Sequence, residues 1–318
     1  MIILKAAPGL DPQNFLAQVL GPDFTVREYD ASRSLVEQGA DAEVLLLRDV
    51  AVDAATMDAM PKLKLLQRLG QHVVGVDFAH AAGKGIPVAN IPAAVSGGDR
   101  MVAEHALYLM MAVAKKAGDS AAAIGQRKLA SVTTVALTGK TLGLIGVGNT
   151  GTELTKMVSG LGMRVIGVKR SADPNLAQKL GLAFLGQMDQ LDRVLAESDF
   201  ISLHLPLGNE TREFLGPDHF AKMKRGSIFI NIARAPIVQK NALYQALKSG
   251  HLGGCGMDVY WEEPANPDDP LLQLSNVVLT PHIAGTTVDV LMNLAKAAAE
   301  NIRRVGAGQH PLYEVIRK

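Results

Sequence analysis

Residues Gly143–Ser171 read GLIGVGNTGTELTKMVSGLGMRVIGVKRS. An apolar run enters Gly146-x-Gly148-x-x-Gly151, a helical pattern follows, and a second apolar run closes at Val168. Strand, glycine-rich turn, helix and returning strand make a βαβ unit. Each glycine has its own task. Gly146 allows a tight turn, Gly148 lets the backbone approach a pyrophosphate, and Gly151 lets helix and strand pack closely. The helix then begins at Asn149 and Thr150, with its free amides facing the phosphates. This stretch predicts a dinucleotide-binding unit.

The end of the second strand departs from the usual pattern. An NAD-binding unit places Asp or Glu there to accept hydrogen bonds from the adenosine ribose. Here the residues are Lys169, Arg170 and Ser171. An acid repels a 2′-phosphate, whereas two cations and a hydroxyl attract one. A charge-assisted hydrogen bond contributes about 1.5–3 kcal/mol. The residues therefore point to NADP(H) as the preferred dinucleotide, with NAD(H) also possible. The plainer reading is a solvated loop whose side chains point away.

The pattern continues in both directions. Strand-like runs alternate with helix-like runs almost throughout, which predicts an α/β fold of two doubly wound parallel-sheet domains. The first series is IILKA, FTVREY, EVLLLR, LKLLQRL and IPVANI, with helices opening at Asp11-Pro12 and at Asp53. The turn SGGDR (Ser96–Arg100) leads into an apolar helix over about 101–117, followed by a polar irregular stretch over 126–138. The second series is TLGLIGVG, MRVIGVK, FISLHLP, SIFINIA, GGCGMDV and NVVLTPH, and a last helix spans about 287–305.

Composition narrows the function classes. The chain has 318 residues, 48% of them apolar, and 32 Lys plus Arg against 31 Asp plus Glu. A charge balance this even points to neither nucleic acid nor an anionic membrane as partner. The opening MIILKAAPGL has no signal-peptide pattern, ALYLMMAVA (Ala106–Ala114) is too short to span a bilayer, and a cytoplasmic protein is expected. Cys255 is the single cysteine and reads as a small buried apolar group. No metal-ligand set is read.

Three segments of the second series carry residues suited to hydride transfer, each at the end of an expected strand, where doubly wound sheets bind ligands. They are NIARAPIV with Arg234, DVYWEEP with Asp258 and Glu263, and LTPHIAG with His282. Taken singly, Arg234 reads as a surface cation, Glu263 as a loop acid before Pro264, and His282 as a satisfied imidazole. Together they match the needs of a 2-hydroxy acid. A guanidinium binds its carboxylate and polarises the developing carbonyl. An imidazole takes its hydroxyl proton. A carboxylate beside that imidazole favours the charged ring and fixes it.

The order Arg234, Glu263, His282 after GVGNTG resembles the D-isomer-specific 2-hydroxyacid dehydrogenase family. VAEHAL (Val102–Leu107), LTGKTLGLIG and HLPLGNET are similar to further family segments, so the likeness covers nearly the whole chain. The resemblance implies that Arg234 binds the substrate, His282 is the acid/base and Glu263 its partner. It places Asp258 near the nicotinamide carboxamide and adds His204, Pro206, Thr211, Ala233 and Gly285 as cofactor-binding positions. His204 is expected to shape the crevice rather than perform chemistry. The resemblance also implies a Rossmann cofactor domain, 99–284, inserted into a smaller substrate domain, 1–98 and 285–318. The crossings fall near Ser96–Arg100 and near His282–Thr287.

The family's substrate loop, Gly-Ala-Gly-Val-Asp in many members, becomes RLGQHVVGVD, which offers Gln71, His72 and Val73 for substrate binding. His72 either alters that turn and reaches the substrate or points to solvent. Pro236 follows Ala235 where the family has two glycines, and stiffens the turn after Arg234. Trp261 is expected to form a pocket wall. The implied activity is reduction of a small 2-oxo acid, glyoxylate or hydroxypyruvate, to its D-2-hydroxy acid. The alternatives are a dinucleotide-sensing, corepressor-like binding protein, and a phosphite- or formate-oxidising relative. No regulatory domain follows the last helix in this sequence, so control by an amino acid is not expected. The apolar 101–117 helix predicts a homodimer.

Overall fold

The computed structural model describes residues 1–7, 13–48, 50–71, 73–171 and 173–315. The chain divides into two compact units, Met1–Gly98 with Thr286–Lys318, and Asp99–Gly285.

In the first unit the strands are β1 (Ile2–Ala6), β2 (Thr25–Glu28), β3 (Val44–Leu47), β4 (Leu65–Arg68) and β5 (Val88–Ala89), all parallel in the order β2-β1-β3-β4-β5. Every residue of β3 is buried, as expected of a central strand covered on both faces. The helices between the strands are α1 (Phe15–Leu20), α2 (Leu35–Gly39), α3 (Ala54–Asp58) and α4 (Phe78–Gly83), followed by α5 (Ala93–Ser96). Asp53 caps α3 by accepting the Thr56 amide at 2.8 Å. The expected helix start at Asp11-Pro12 lies outside the described residues.

The expected turn at Ser96–Arg100 is shorter than its sequence suggests. Gly97 alone, at φ 79°, separates α5 from α6 (Gly98–Ala114), so Gly98, Asp99 and Arg100 are already helical. An acid in a first helical turn favours this early start.

The second unit continues with α7 (Ala117–Gly125), β6 (Thr141–Ile145), α8 (Asn149–Ser159), β7 (Arg164–Val168), α9 (Pro174–Leu180) and β8 (Phe184–Gly186). It then runs through α10 (Leu191–Glu197), β9 (Phe200–Leu203), α11 (Pro217–Lys222), β10 (Ile228–Asn231), α12 (Lys240–Lys248), β11 (Gly254–Met257) and β12 (Val277–Leu279). The seven strands are parallel in the order β12-β11-β10-β9-β6-β7-β8. The edge strand β8 is not legible in the sequence: it has three residues, ends in glycine, and only Gly186 is buried. Strand order reverses between β6 and β9, the place where doubly wound sheets bind ligands beyond their carboxyl ends.

The small residues of β11 have a packing reason. A Cβ on Gly254 would lie 2.5 Å from Val113 Cγ1, and one on Gly256 2.8 Å from Leu109 Cβ. Glycine at both positions lets α6 lie against the strand. Cys255 between them is fully buried, facing the opposite core.

After the second unit Thr287 caps α13 (Val288–Gly306) by accepting the Val290 amide. This helix packs on α1 and α5 of the first unit. Its buried Asn301 donates to the buried Gln67 of β4 at 2.7 Å, so both amides are satisfied.

Candidate active site

Because all seven strands of the second unit run parallel, residues following β6, β7, β9, β10, β11 and β12 emerge on one edge. Gly146 follows β6 with φ 100°, and a Cβ there would stand 3.0 Å from the His204 carbonyl oxygen. A Cβ on Gly151 would stand 2.8 Å from the Gly146 carbonyl, so only glycine lets α8 start so close to the strand. Above Gly148 a Cβ would meet nothing within 4 Å, and α8 has no side-chain cap. Open space over uncapped amides is the cradle that a pyrophosphate fits. The side chains of Asn149 and Thr150 turn away from it, donating to Asp99 Oδ2 at 3.0 Å and Oδ1 at 3.2 Å. Both side chains are therefore committed to Asp99. Asp99 had no sequence signal, since the contact spans helices far apart in the chain.

Lys169 and Arg170 follow β7, the first partly exposed and the second exposed, and neither pairs with an acid among the described residues. Ser171 is exposed beside them. The Lys169 amide donates to Gly186 of β8 at 3.1 Å, which extends the pairing past the strand end. Unpaired cations here fit a phosphate on the adenosine ribose.

His204 follows β9. Both of its ring nitrogens are buried without a partner among the described residues. Burial holds its pKa down at about 4, so the ring is neutral and no proton donor near neutral pH. The next loop folds on itself, with the Thr211 hydroxyl donating to the Pro206 carbonyl at 2.7 Å and accepting the Gly208 amide.

Arg234 follows β10 and is exposed, with Nη1 donating to the Ala233 carbonyl at 2.6 Å. Its turn is held by Asn231, buried in the strand, which accepts the Ala233 amide and donates to the Arg234 carbonyl. Pro236 sits in a short 3-10 turn, Ala235–Ile237, as a stiff turn requires.

Glu263 and His282 come together. Nδ1 of His282 lies 2.7 Å from Glu263 Oε2, and the other oxygen, Oε1, accepts the Tyr260 amide at 3.0 Å. Both side chains are 39% exposed, and His282 Nε2 has no partner among the described residues. His282 has φ 56°, a backbone conformation that a non-glycine residue adopts only when its surroundings hold it. Those surroundings include Tyr260, whose hydroxyl donates to the Thr280 carbonyl at 2.8 Å. Burial, with the Asp258 and Glu263 carboxylates nearby, pushes that phenol up to about 12, so it remains a donor.

Asp258, after β11, is 1% exposed. Its Oδ1 accepts the Thr280 hydroxyl at 2.6 Å and the Ile283 amide at 2.9 Å, and its Oδ2 the Ala284 amide at 2.8 Å. The carboxylate is thus committed to the turn carrying His282. Thr280 and Tyr260 were missed from sequence, where a threonine and a tyrosine carry no charge to draw attention. Gly285, half-buried, ends the turn.

Other expected positions stand differently. Trp261 donates to the Val238 carbonyl at 2.9 Å and lines a cavity of about 330 Å³ with Lys240, Asn266, Asp268 and Pro270, without Arg234 or His282. The indole forms a wall of that cavity. In the first unit Gln71 is exposed and its carbonyl accepts Asn90 Nδ2 at 2.7 Å. Val73 is 4% exposed, in that unit's core. His72 lies outside the described residues. No group of three or more His, Cys, Asp or Glu among the described residues is placed to hold a metal ion, and no helix among them is long and apolar enough to cross a membrane.

A glycine cradle at the switch point of a parallel sheet, with an imidazole–carboxylate pair on the same edge, defines an α/β protein of the dinucleotide-dependent oxidoreductase class. The chain belongs to the D-isomer specific 2-hydroxyacid dehydrogenase family, whose NAD binding domain model matches residues 107–284. It is 35% identical over 277 residues to a glyoxylate reductase of Korarchaeum cryptofilum, covering 85% of this chain and 81% of that one. It is also 35% identical over 291 residues to a D-3-phosphoglycerate dehydrogenase of Archaeoglobus fulgidus, covering 91% of this chain. This chain spans about half that relative's length, 54%. Among solved structures, a D-lactate dehydrogenase with NAD+ from Lactobacillus jensenii aligns with a TM-score of 0.80 at 25% identity, over 100% of both chains.

Proposed function

We propose that this protein is an NADP(H)-preferring D-2-hydroxyacid dehydrogenase that reduces small 2-oxo acids of the glyoxylate or hydroxypyruvate kind. The observation that carries the reading is the 2.7 Å contact of His282 Nδ1 with Glu263, on the same sheet edge as the Gly146–Gly151 cradle. The likeness to a glyoxylate reductase supports the substrate class. The unpaired Lys169 and Arg170 support the dinucleotide preference.

When bound, the reduced nicotinamide supplies a hydride to C2 of the oxo acid. The protein supplies the rest. Arg234 holds the substrate carboxylate and withdraws density from the carbonyl. As the C=O electron pair moves onto oxygen, the proton on His282 Nε2 passes to that oxygen, giving the hydroxyl. Glu263, bonded to Nδ1, keeps the ring in one orientation and offsets its charge before transfer. The residues of the Gly146–Gly151 turn bind the pyrophosphate, and Lys169, Arg170 and Ser171 the 2′-phosphate.

We also propose that the protein is a homodimer. No residue of α7 is buried, and Ile124 and Leu129 are 79% and 96% exposed, with Tyr108 and Met111 of α6 exposed as well. An apolar face of this kind is more often covered than left in water. The deciding experiment is loss of NADPH absorbance with a panel of small 2-oxo acids, repeated with NADH. Turnover of at least one acid, faster with NADPH, is expected. No turnover with any acid overturns the reading.

A further inference from the structure

The close approach of α6 to β11 brings a second histidine to the edge that carries His282. His105 lies one turn before Leu109, on the face of α6 that meets the glycines of β11. Its Nε2 is 2.8 Å from the Thr280 hydroxyl oxygen, which is itself 2.6 Å from Asp258 Oδ1. A hydroxyl has one proton and an ionised carboxylate only accepts, so the Thr280 proton goes to Asp258. His105 must then donate its Nε2–H to the Thr280 oxygen, which sets its tautomer. Asp258 in turn grips the amides of Ile283 and Ala284, while the His282 amide donates to the Thr280 carbonyl at 2.9 Å. The two flanks of His282, at φ 56°, therefore hang from one hydrogen-bonded chain.

We propose that His105 is a positioning residue for His282, acting through Thr280 and Asp258 to hold the 280–284 turn in the conformation that keeps the His282 ring against Glu263. His105 touches neither Glu263 nor His282. Burial pushes its imidazole below the usual range against the pull of the Asp258 carboxylate, so at neutral pH it is an uncharged donor. A neutral donor suits this task, because it orients the hydroxyl without weakening the Asp258 grip on the two amides. The Tyr108 ring packs against it at a tilt, with ring centres 5.4 Å apart.

The effect on turnover rests on the dehydrogenase reading, so the test has a readout that does not. In the full-length protein the His282 ring signal is followed by NMR, identified by its loss in His282→Asn. His105→Leu and the near-isosteric Thr280→Val are each expected to fold with an unchanged circular dichroism spectrum and to move that signal. Each should lower kcat about tenfold while the KM of the oxo acid and the Kd of the dinucleotide stay within about twofold. The double variant should be no worse than either single one, because both cut the same chain. His105→Gln, which keeps a donor at similar reach, should restore the signal and most of kcat. A His282 signal left in place by folded His105→Leu and Thr280→Val overturns the proposal, as do fully additive losses. Absence of oxo-acid turnover in the unmodified protein would overturn the reductase reading alone, leaving the spectroscopic test in force.

Discussion

His282 presents Nδ1 to Glu263 Oε2 at 2.7 Å and has no partner for Nε2 among the described residues, so one ring nitrogen is anchored and the other is left for the proposed proton transfer. This division of labour makes the two residues unequal. His282→Asn removes the transferable proton and should lower kcat/KM by about 10²–10⁴-fold. Glu263→Gln keeps a hydrogen-bonding group but loses the charge that balances the imidazolium, and should cost about tenfold in kcat. Steady-state rates of oxo-acid reduction measure both. Full activity in His282→Asn removes the assigned acid/base.

Lys169 and Arg170, unpaired among the described residues, are the groups proposed to hold a ribose 2′-phosphate. Replacing both with alanine should weaken NADPH binding about 10–100-fold and change NADH binding little, since only the phosphate is lost as partner. Fluorescence titration with each dinucleotide reads the difference. Higher ionic strength should narrow it, because these charges face solvent. NADH binding tighter than NADPH in the unmodified protein refutes the preference.

The exposed face formed by Ile124, Leu129 and their neighbours predicts a specific change in mass. The unmodified protein should run as a dimer in light scattering. Ile124→Glu with Leu129→Glu should shift it towards monomer, because each apolar side chain returned to water forfeits about 1.5–3 kcal/mol of burial. A monomer before mutation would discard the interface.

His204 predicts how stability depends on acidity. In the unfolded chain its pKa returns to about 6.5, whereas burial holds it near 4 in the fold. Below about pH 6.5 the unfolded chain therefore takes up a proton that the folded protein refuses. Stability from this group is complete above that pH and declines as the pH falls towards 4, by at most about 3 kcal/mol. Urea unfolding at pH 7.5 and pH 5 should show a smaller loss for His204→Asn than for the unmodified protein. Equal losses would mean that the ring is hydrated in the fold.

Short-range patterns in the chain were enough to specify the alternation of strand and helix, the glycine turn at 146–151, the cap at Asp53, the start of the last helix near Thr287, and the strand ends that bear Arg234, Asp258 and His282. Each depends on residues within a few positions of one another, where backbone geometry and hydrophobic period leave little freedom. Strand β8 escaped that reading because a three-residue edge strand has too little apolar run to register. Beyond that range only the folded chain decides. Which residue holds His282 in place depends on a hydrogen bond between His105 and Thr280, separated by 175 positions, and on the two glycines that let α6 reach β11. Asp99 meets Asn149 and Thr150 in the same way, across 50 and 51 positions. Such contacts are set by packing between distant elements, and no local preference of a histidine, a threonine or an aspartate announces its partner.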